Sequence, residues 1–411
     1  MTRTRSRLLG PAGVLAATLL LFGCGGGGGG SGDSDSTAGA GSGTLRVSLT
    51  DAPACGYDAV FVTVAGVRVH QSATAADGQA GWSEIAMDPP RRIDLLSLSN
   101  GVLHELGQMA LPAGNYQQVR LLLADNGAVP LANAVAPNGG MQRPLDTPSG
   151  QQSGIKLQAN VDVPAGQTVD LVLDFDACRS VVPRGGSGRY NLKPVIAVVP
   201  MISVGAISGY AAAAAPAPAD GVKVSAQVGG AVVKETVVAS GAQFRLAPIA
   251  AGTYDVVFTA TGRVTRVVTG VPVSTAATTV MSAAGTPITL PASDSGTVAG
   301  KVTPAQAQAS VRALQSIGAT GRVEVGSVNA DGLSGDYSLS LPTAAIEVAA
   351  PAWPAPPILA APAYLFSAVA GSAGNYALEA SATGYATSAP QVATVPAGGT
   401  VTRDFTLLAV P

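Results

Sequence analysis

The chain has 411 residues, enough for two to four domains. Its 23 Lys and Arg against 25 Asp and Glu give a net charge of −2, which excludes the basic surface that nucleic-acid binding requires. Charged residues make up 12% of the chain, about half the usual share, while 51 Gly and 29 Pro predict many turns. Val, Leu and Ile recur at strand spacing, so the composition predicts an all-β protein.

The chain begins with Arg3, Arg5 and Arg7, followed by the short apolar segment Leu8–Gly23. The segment is shorter than the about 20 residues of a membrane-spanning helix. The run Leu21–Cys24 resembles the lipobox of bacterial lipoproteins. This resemblance implies removal of residues 1–23, a lipid on the Cys24 sulfur and a place in the cell envelope. An ordinary signal peptide and a membrane helix that contains a cysteine are the alternatives.

Residues 24–43 contain the run Gly25–Gly30 and then mainly Ser, Asp and Gly. We expect a flexible tether that spans roughly 20–25 Å. Gly25 directly after the cysteine resembles the outer-membrane sorting class of Gram-negative lipoproteins. A periplasmic and a surface-exposed orientation both stay open.

Ordered structure is predicted from Thr44, because Leu45, Val47 and Leu49 alternate with polar residues. The segment between Ala124 and Gly154 is rich in Pro, Asn and Gly and predicts a long exposed loop. Further strands are predicted at Val60–Val69, Arg92–Leu98, Tyr116–Leu123, Ile155–Val161, Thr168–Asp176 and Leu192–Val199.

Five sequence runs in this region form a specific set: Leu45–Pro53, Tyr57–Val60, Val67–His70, Leu111–Arg120 and Asp174–Asp176. The set resembles the bacterial domain-of-unknown-function family 4382. The resemblance covers 44–202 and implies an envelope β-domain with no assigned chemistry.

Cys55 and Cys178 remain once Cys24 is set aside for the lipid. Since an oxidising compartment favours pairing, we predict a disulfide between them. The closed loop of about 120 residues would contribute about 4–5 kcal/mol on the chain-entropy model. Two free thiols are the alternative.

The pattern Ala-Gly-x-Tyr, each time opening a strand, occurs three times, at 113–116, 251–254 and 373–376. In the last two copies the strand ends in Ala-Thr-Gly. The pattern resembles the carboxypeptidase regulatory-like and Cna-B families of transthyretin-like sandwiches. The resemblance implies two such domains, at 203–292 and 293–411. The second would carry an Ala/Pro-rich loop, Pro342–Pro362, between its strands. The predicted fold class is therefore tandem β-sandwiches after a signal peptide and a tether.

Asp170, Asp174 and Asp176 share one face of a predicted strand. A solvated strand face is the plain interpretation. Calcium binding at Asp174 and Asp176 is an alternative, because calcium prefers several oxygen ligands, and a glycosidase pair is another. No other cofactor is expected.

His70 and His104 are the two histidines, and no Gly-x-Ser-x-Gly elbow accompanies them. Neither is expected to be catalytic. Trp82 and Trp353 lie in Gly- and Pro-rich contexts, and an exposed Trp suits a sugar ring or a protein interface. Both are candidate ligand-binding residues, although Trp353 is expected to pack against its own domain.

These patterns predict a non-catalytic binding or adhesion module, anchored to the membrane by lipid, whose partner is an envelope glycan or a protein. A structural spacer without a ligand is the second hypothesis, and a glycan-processing enzyme the third.

Overall fold

The computed structural model describes residues 41–51, 56–127, 131–148, 150, 153–218, 221–318, 321–355 and 358–410. The predicted signal peptide, Cys24 and nearly all of the tether therefore lie outside the described residues. The described chain folds into tandem β-sandwiches, which confirms the predicted fold class. Within these ranges no helix has the length and apolar character needed to cross a membrane.

Sandwich 1 spans Ser42–Pro200 and packs one continuous apolar core between two sheets. The smaller sheet has the strand order β12-β9-β1-β4, and the larger has the order β10-β11-β7-β6-β2-β5-β8 with β3 paired to β2. Its strands are β1 (Ser42–Asp51), β2 (Tyr57–His70), β3 (Ser83–Asp94), β4 (His104–Pro112), β5 (Gly114–Leu123), β6 (Ala134–Pro137), β7 (Arg143–Asp146), β8 (Ile155–Val163), β9 (Thr168–Phe175), β10 (Val181–Pro183), β11 (Tyr190–Leu192) and β12 (Ile196–Pro200). Helix α1 (Ala177–Ser180) follows β9, and 3-10 turns lie at Leu95–Leu98 and Gly185–Ser187.

Sandwich 2 spans Val204–Leu290 and has its own core. Its strands are β13 (Val204–Ala213), β14 (Lys223–Val228), β15 (Ala231–Val237), β16 (Gln243–Ala250), β17 (Gly252–Thr259), β18 (Arg266–Val273), β19 (Thr278–Val280) and β20 (Ile288–Leu290). Sandwich 3 spans Ser295–Thr406, and its core is largely separate. Its strands are β21 (Ser295–Thr303), β22 (Ser310–Ser316), β23 (Arg322–Asn329), β24 (Asp336–Pro342), β25 (Glu347–Ala349), β26 (Ser367–Ala368), β27 (Asn375–Ser381), β28 (Gln391–Thr394), β29 (Thr400–Thr402) and β30 (Phe405–Thr406), with a 3-10 turn at Ala305–Ala307.

The three sandwiches share one topology. In each, the first strand lies between an antiparallel and a parallel neighbour: β1 between β4 and β9, β13 between β16 and β19, and β21 between β24 and β29. The second strand of each lies in the opposite sheet, between the third strand and a later strand of that sheet, which is β5, β17 or β27. The chain therefore repeats one structural unit three times.

One close backbone approach is common to all three copies. Gly43, Gly205 and Gly296 lie near the start of the three first strands, and a Cβ atom at each would come within 2.3 Å of a backbone carbonyl oxygen. Since real Cβ atoms do not approach so closely, only glycine fits. Steric crowding therefore explains why a glycine lies near the start of the first strand in each sandwich.

The Ala-Gly-x-Tyr pattern forms a tyrosine corner. The hydroxyls of Tyr116 and Tyr254 each donate to the carbonyl oxygen four residues earlier, at 3.0 Å and 2.8 Å. The hydroxyl of Tyr376 makes the corresponding bond to the carbonyl of Pro342, which is 34 residues earlier. Sandwich 3 therefore carries an insertion where the other two have a tight turn.

The inserted segment, which we call the strap (residues 343–355 and 358–374), packs both on its own sandwich, where Ile346 is buried, and on sandwich 2. Its strand β25 pairs in parallel with β18 and extends the sheet of sandwich 2. The Trp353 indole N–H donates to the carbonyl of Thr269 at 3.1 Å, and the Tyr364 hydroxyl donates to the carbonyl of Met281 at 2.9 Å. The expectation that Trp353 packs against its own domain is wrong, because its ring contacts the core of sandwich 2.

Two local predictions in sandwich 1 are corrected. Residues Leu95–Leu98 form a 3-10 turn capped by the Asp94 side chain and not the end of a strand. The predicted exposed loop after Ala124 contains β6 and β7, and Asn133 within it is fully buried. The Asn133 side-chain nitrogen donates to the carbonyl of Ala124, and its oxygen accepts from the Thr63 N–H. These hydrogen bonds hold the segment in place although it has no alternating apolar residues.

Candidate functional site: the junction of the three sandwiches

Each pair of sandwiches is in contact, and three amide side chains make one bridge per pair. Asn100 joins sandwich 1 to sandwich 2, Gln227 joins sandwich 2 to sandwich 3, and Asn329 joins sandwich 3 to sandwich 1. We call the region around these bridges the junction. Amides suit this role because one group both donates and accepts hydrogen bonds.

Asn100 lies in the turn after the Leu95–Leu98 helix and has a positive φ of 58°. Its side-chain nitrogen donates to the carbonyl of Val237 at 3.0 Å, and its oxygen accepts from the Thr236 hydroxyl at 3.1 Å. The same oxygen accepts from the N–H of Arg245 at 3.2 Å. One residue thus ties two strands of sandwich 2 to sandwich 1.

Gln227 and Asn329 make equally complete bridges. The Gln227 amide pairs with both backbone groups of Glu324, donating to its carbonyl and accepting from its N–H, each at 2.8 Å. The Asn329 nitrogen donates to the carbonyls of Arg179 and Val181, both at 3.0 Å. Separating the sandwiches would exchange these hydrogen bonds for hydrogen bonds to water, at a net cost of about 0.5–1.5 kcal/mol for each bond.

An ion pair lies between sandwiches 1 and 2. The Lys234 ammonium is 2.6 Å from Asp174 Oδ1, and the two side chains are 3% and 9% exposed. Asp174 lies on the outer face of β9, and sandwich 2 covers it there. The same strand offers a contrast at its other end, where Asp170 pairs with Arg46 and both side chains are at least 40% exposed.

A second chain of charges continues from sandwich 1 to sandwich 3. The Asp176 carboxylate caps α1 by accepting from the Arg179 N–H at 2.9 Å, and its side chain also pairs with the Arg179 guanidinium. Arg179 in turn binds Oε1 of Glu324, whose side chain is 3% exposed. Oε2 of Glu324 lies 3.9 Å from the Arg312 guanidinium, and the Ser327 side chain is a further neighbour of this carboxylate.

A cavity of about 320 Å³ lies at the junction and is lined by all three sandwiches. Arg179, Lys223, Glu235 and Glu324 supply its charges, and Ser and Thr hydroxyls surround them. Lys223 and Glu235 are half-buried on the neighbouring strands β14 and β15. In the part of the chain that the structure describes, neither of these two forms an ion pair with another residue. The volume lies in the range of small-molecule sites.

Burial dominates the electrostatics of the junction. Burial raises the pKa of Glu235 to about 7, although the Lys223 ammonium opposes the shift. Burial likewise raises the pKa of Asp174, Asp176 and Glu324 against the pull of their cationic partners. It lowers the pKa of Lys193 to about 8, where the ammonium donates to the carbonyl of Gln308 at 2.9 Å. Shifts of this kind concentrate at functional sites, although ion-pair networks also cause them.

The candidate calcium ligands Asp174 and Asp176 both lie in the junction, each beside a cation. The plain expectation of a solvated strand face is wrong for Asp174, which is buried. Among the described residues no three His, Cys, Asp or Glu side chains cluster in a way that could hold a metal ion. A calcium ion at Asp174 would have to displace the Lys234 ammonium, and calcium binding here stays a prediction.

The two tryptophans already have partners within the chain. The Trp82 ring packs against side chains of β2 and β5. Its centroid is 4.4 Å from the Arg120 guanidinium and 5.0 Å from the centroid of the His70 ring. Its indole N–H donates to the carbonyl of Ala76 at 2.9 Å. Trp353 is held by the strap contacts. A role of either ring in ligand binding stays a prediction.

Neither histidine is placed for nucleophilic catalysis within the described residues. His70 ends β2 and is 7% exposed; its Nδ1 accepts from the backbone N–H of Ser72, and its Nε2 donates to the carbonyl of Ala80 at 3.1 Å. His104 is the first residue of β4 and not in a loop, and no hydroxyl contacts its buried Nε2 in the part of the chain that the structure describes.

Cys55 lies outside the described residues, and the Cys55–Cys178 disulfide stays a prediction. Cys178 lies in α1, at the edge of the junction. Asp51 at the end of β1 accepts from the N–H of Ala177 at 3.0 Å, so the chain leaves β1 beside this helix. Cys55 follows Asp51 by four positions in the sequence, a span of at most about 14 Å for an extended chain.

Sequence reasoning missed most of the junction. Asn100, Lys193, Gln227, Lys234, Glu235 and Glu324 carry its contacts, and none belongs to a recognised motif. One usable signal exists: Lys234, Glu235, Glu324 and Glu379 interrupt strands in a chain with few charges. In such a composition a charged residue within a strand indicates a specific partner.

Residues 42–194, which correspond closely to sandwich 1, match the family described as Domain of unknown function (DUF4382). The match confirms the resemblance found in the sequence for this part of the chain. No curated protein matches the chain.

Solved structures similar to the chain include several bacterial proteins. A type II cohesin–X-dockerin complex mutant from Acetivibrio cellulolyticus is 28% identical over 22% of this chain and 58% of that chain, with a TM-score of 0.18. The Bacillus anthracis TIE protein is 12% identical over 90% of this chain and 51% of that one, with a TM-score of 0.19. The major pilin subunit of Bacillus cereus is 10% identical over 90% of this chain and all of that one, with a TM-score of 0.17.

The chain thus spans less than two thirds of the length of the first two of these structures. At TM-scores this low the likeness does not extend to a shared arrangement of the whole chain. The molecule is a tandem β-sandwich protein, and its first sandwich matches a family without assigned chemistry.

Proposed function

We propose that this chain is a non-catalytic envelope lipoprotein whose three sandwiches act as one rigid binding module for an envelope glycan or a protein. The observation that carries the proposal is the mutual contact of all three pairs of sandwiches through buried and partly buried polar groups. A flexible string of domains would touch only at successive boundaries. A rigid body can present loops from different sandwiches to one partner in a fixed arrangement.

In this proposal a lipid on Cys24 anchors the chain to the membrane, and residues 24–43 form the tether. We also propose that sandwiches 2 and 3 are related to the carboxypeptidase regulatory-like and Cna-B families. It is supported by the common topology and by the tyrosine corners.

Membrane fractionation tests the anchor. The native chain should sediment with outer membranes, whereas Cys24→Ser should remain unlipidated by mass spectrometry and lose its outer-membrane association. Equal outer-membrane association of both forms would contradict the anchor.

A pull-down from envelope extracts tests the binding function. The detergent-purified chain should retain a glycan or protein that a denatured sample does not retain. Retention of nothing by the folded chain would favour the spacer, the second candidate. That candidate is supported by the partners that Trp82 and Trp353 already have within the chain.

A further inference from the structure

The cavity at the junction contains charged side chains that are not needed to hold the sandwiches together. Ion pairs and amide bridges already hold the sandwiches together around it. Lys223 and Glu235 point their charges at the remaining space without joining that network by direct contact within the described residues. Keeping two half-buried charges unpaired costs stability, so their presence calls for a role.

The position of these groups is set by strand pairing. Ser225 lies directly opposite Glu235 in the antiparallel pair of β14 and β15, and Lys223 lies two residues before Ser225. Residues two apart on a strand share a face, so the ammonium, the hydroxyl and the carboxyl lie along one side of the cavity. An ammonium and a carboxylate therefore lie diagonally on the same face.

A second observation comes from sandwich 3 on the other side of the cavity. Glu324 lines the cavity from this side, and its carboxylate is held by Arg179 and lies beside the Ser327 side chain. The carboxyl groups of Glu235 and Glu324 therefore lie on two walls of the same space, and an ammonium group in the cavity would lie near both.

We propose that the junction cavity binds a small zwitterion of the amino-acid class, with its carboxylate on Lys223 and its ammonium between Glu235 and Glu324. The volume of about 320 Å³ admits a free amino acid but not a folded partner. When Glu235 is ionised, the positive charges of Lys223 and Arg179 balance the negative charges of Glu235 and Glu324, so a ligand without net charge leaves this balance intact. The proposal goes beyond the envelope-binding function, which uses the outer surface.

Isothermal titration calorimetry of the full chain in detergent tests the proposal with glycine, L-alanine and L-glutamine. At least one should bind saturably at one site per chain. N-acetylglycine, which lacks the ammonium, and glycinamide, which lacks the carboxylate, should bind at least tenfold more weakly. These two probes need no altered protein, so misfolding of a variant cannot confuse the result.

Variants then locate the site. Lys223→Met and Glu235→Gln should each weaken binding at least tenfold, while Lys301→Met, which removes an exposed lysine of sandwich 3, should leave it unchanged. The proposal is overturned if none of the three amino acids binds. It is also overturned if the blocked probes bind as well as the amino acids, or if both cavity variants keep the native affinity. A failed pull-down from envelope extracts would leave these results unaffected.

Discussion

The three sandwiches contact one another in two regions, the strap and the junction, that are built from different chemistry. The strap adds a strand to sandwich 2 and packs Trp353, Tyr364 and Phe366 against its core, with one partly exposed ion pair between Glu347 and Arg266 at the paired strands. The junction instead uses buried charges and amides, and its strength depends on protonation. Apolar burial and backbone pairing tolerate small changes of position, whereas a buried ion pair requires both of its members.

The largest expected effect comes from breaking the junction at Asp174. In Asp174→Asn the Lys234 ammonium keeps its burial and loses its counter-charge, so we expect a loss of about 3 kcal/mol. Asp170→Asn on the same strand removes an exposed pair and should cost less than about 0.5 kcal/mol. Thermal unfolding of both variants measures the difference, and equal costs would show that the Asp174 pair does not hold the sandwiches.

Trp353→Ala tests the strap. The change removes a ring from the core of sandwich 2 and one hydrogen bond to Thr269, at a cost of about 2–3 kcal/mol. Leu365→Ala, at a strap position that is 89% exposed, is the matched control and should have no measurable effect. The loss in Trp353→Ala should not vary between pH 5 and pH 8. A clear variation with pH would link the strap to the junction.

Glu235→Gln should change the pH profile. The pKa of Glu235 is raised from 4.5 to about 7, so between these values the folded state keeps a proton that the unfolded chain releases. Its contribution therefore makes the native chain less stable as pH rises from 4.5 to 7. The variant cannot ionise there and should exceed the native chain by about 2 kcal/mol at pH 8 while matching it near pH 4.5.

Melting temperatures of both proteins across this range check the prediction. Lys223, Asp176, Arg179 and Glu324 act on Glu235 in the native chain and remain in the variant, so the difference curve isolates this carboxyl. A parallel pair of curves would show that Glu235 titrates normally.

The smallest expected effect concerns the tyrosine corners. Tyr254→Phe and Tyr376→Phe each delete one hydroxyl that donates to a carbonyl, at about 1 kcal/mol each. Similar costs, measured by thermal unfolding, would show that the corner survives the insertion of the strap. A several-fold larger cost at Tyr376 would mean that its hydrogen bond also holds the base of the strap.

Much of the fold follows from local sequence patterns. Alternating apolar residues predicted β1, β2, β5, β8 and β9, because one face of each strand is buried in its own sandwich. The Ala-Gly-x-Tyr pattern predicted the start of a strand in each sandwich, because the turn is formed by neighbouring residues, but the hydroxyl hydrogen bonds of the tyrosine corners were not predicted. The packing of the strap on sandwich 2 could not be predicted, since it depends on residues of another sandwich that are distant in the sequence.

The junction escaped prediction for a related reason. Asp174 occupies a polar position in the alternating pattern of its strand, which is typical of an exposed residue. It is buried because sandwich 2 covers it. Asn100 and Asn329 are ordinary loop and strand-end residues until another sandwich supplies their partners. Contacts between repeated units leave little trace in the periodicity of any one unit.

Scanning calorimetry of the full chain and of Asp174→Asn tests the central claim most directly, namely that the junction makes the three sandwiches one body. The account predicts one cooperative transition in the native chain. In the variant it predicts that a transition of sandwich 1 separates from the rest at lower temperature. Independent transitions in the native chain, or a single unshifted transition in the variant, would contradict it.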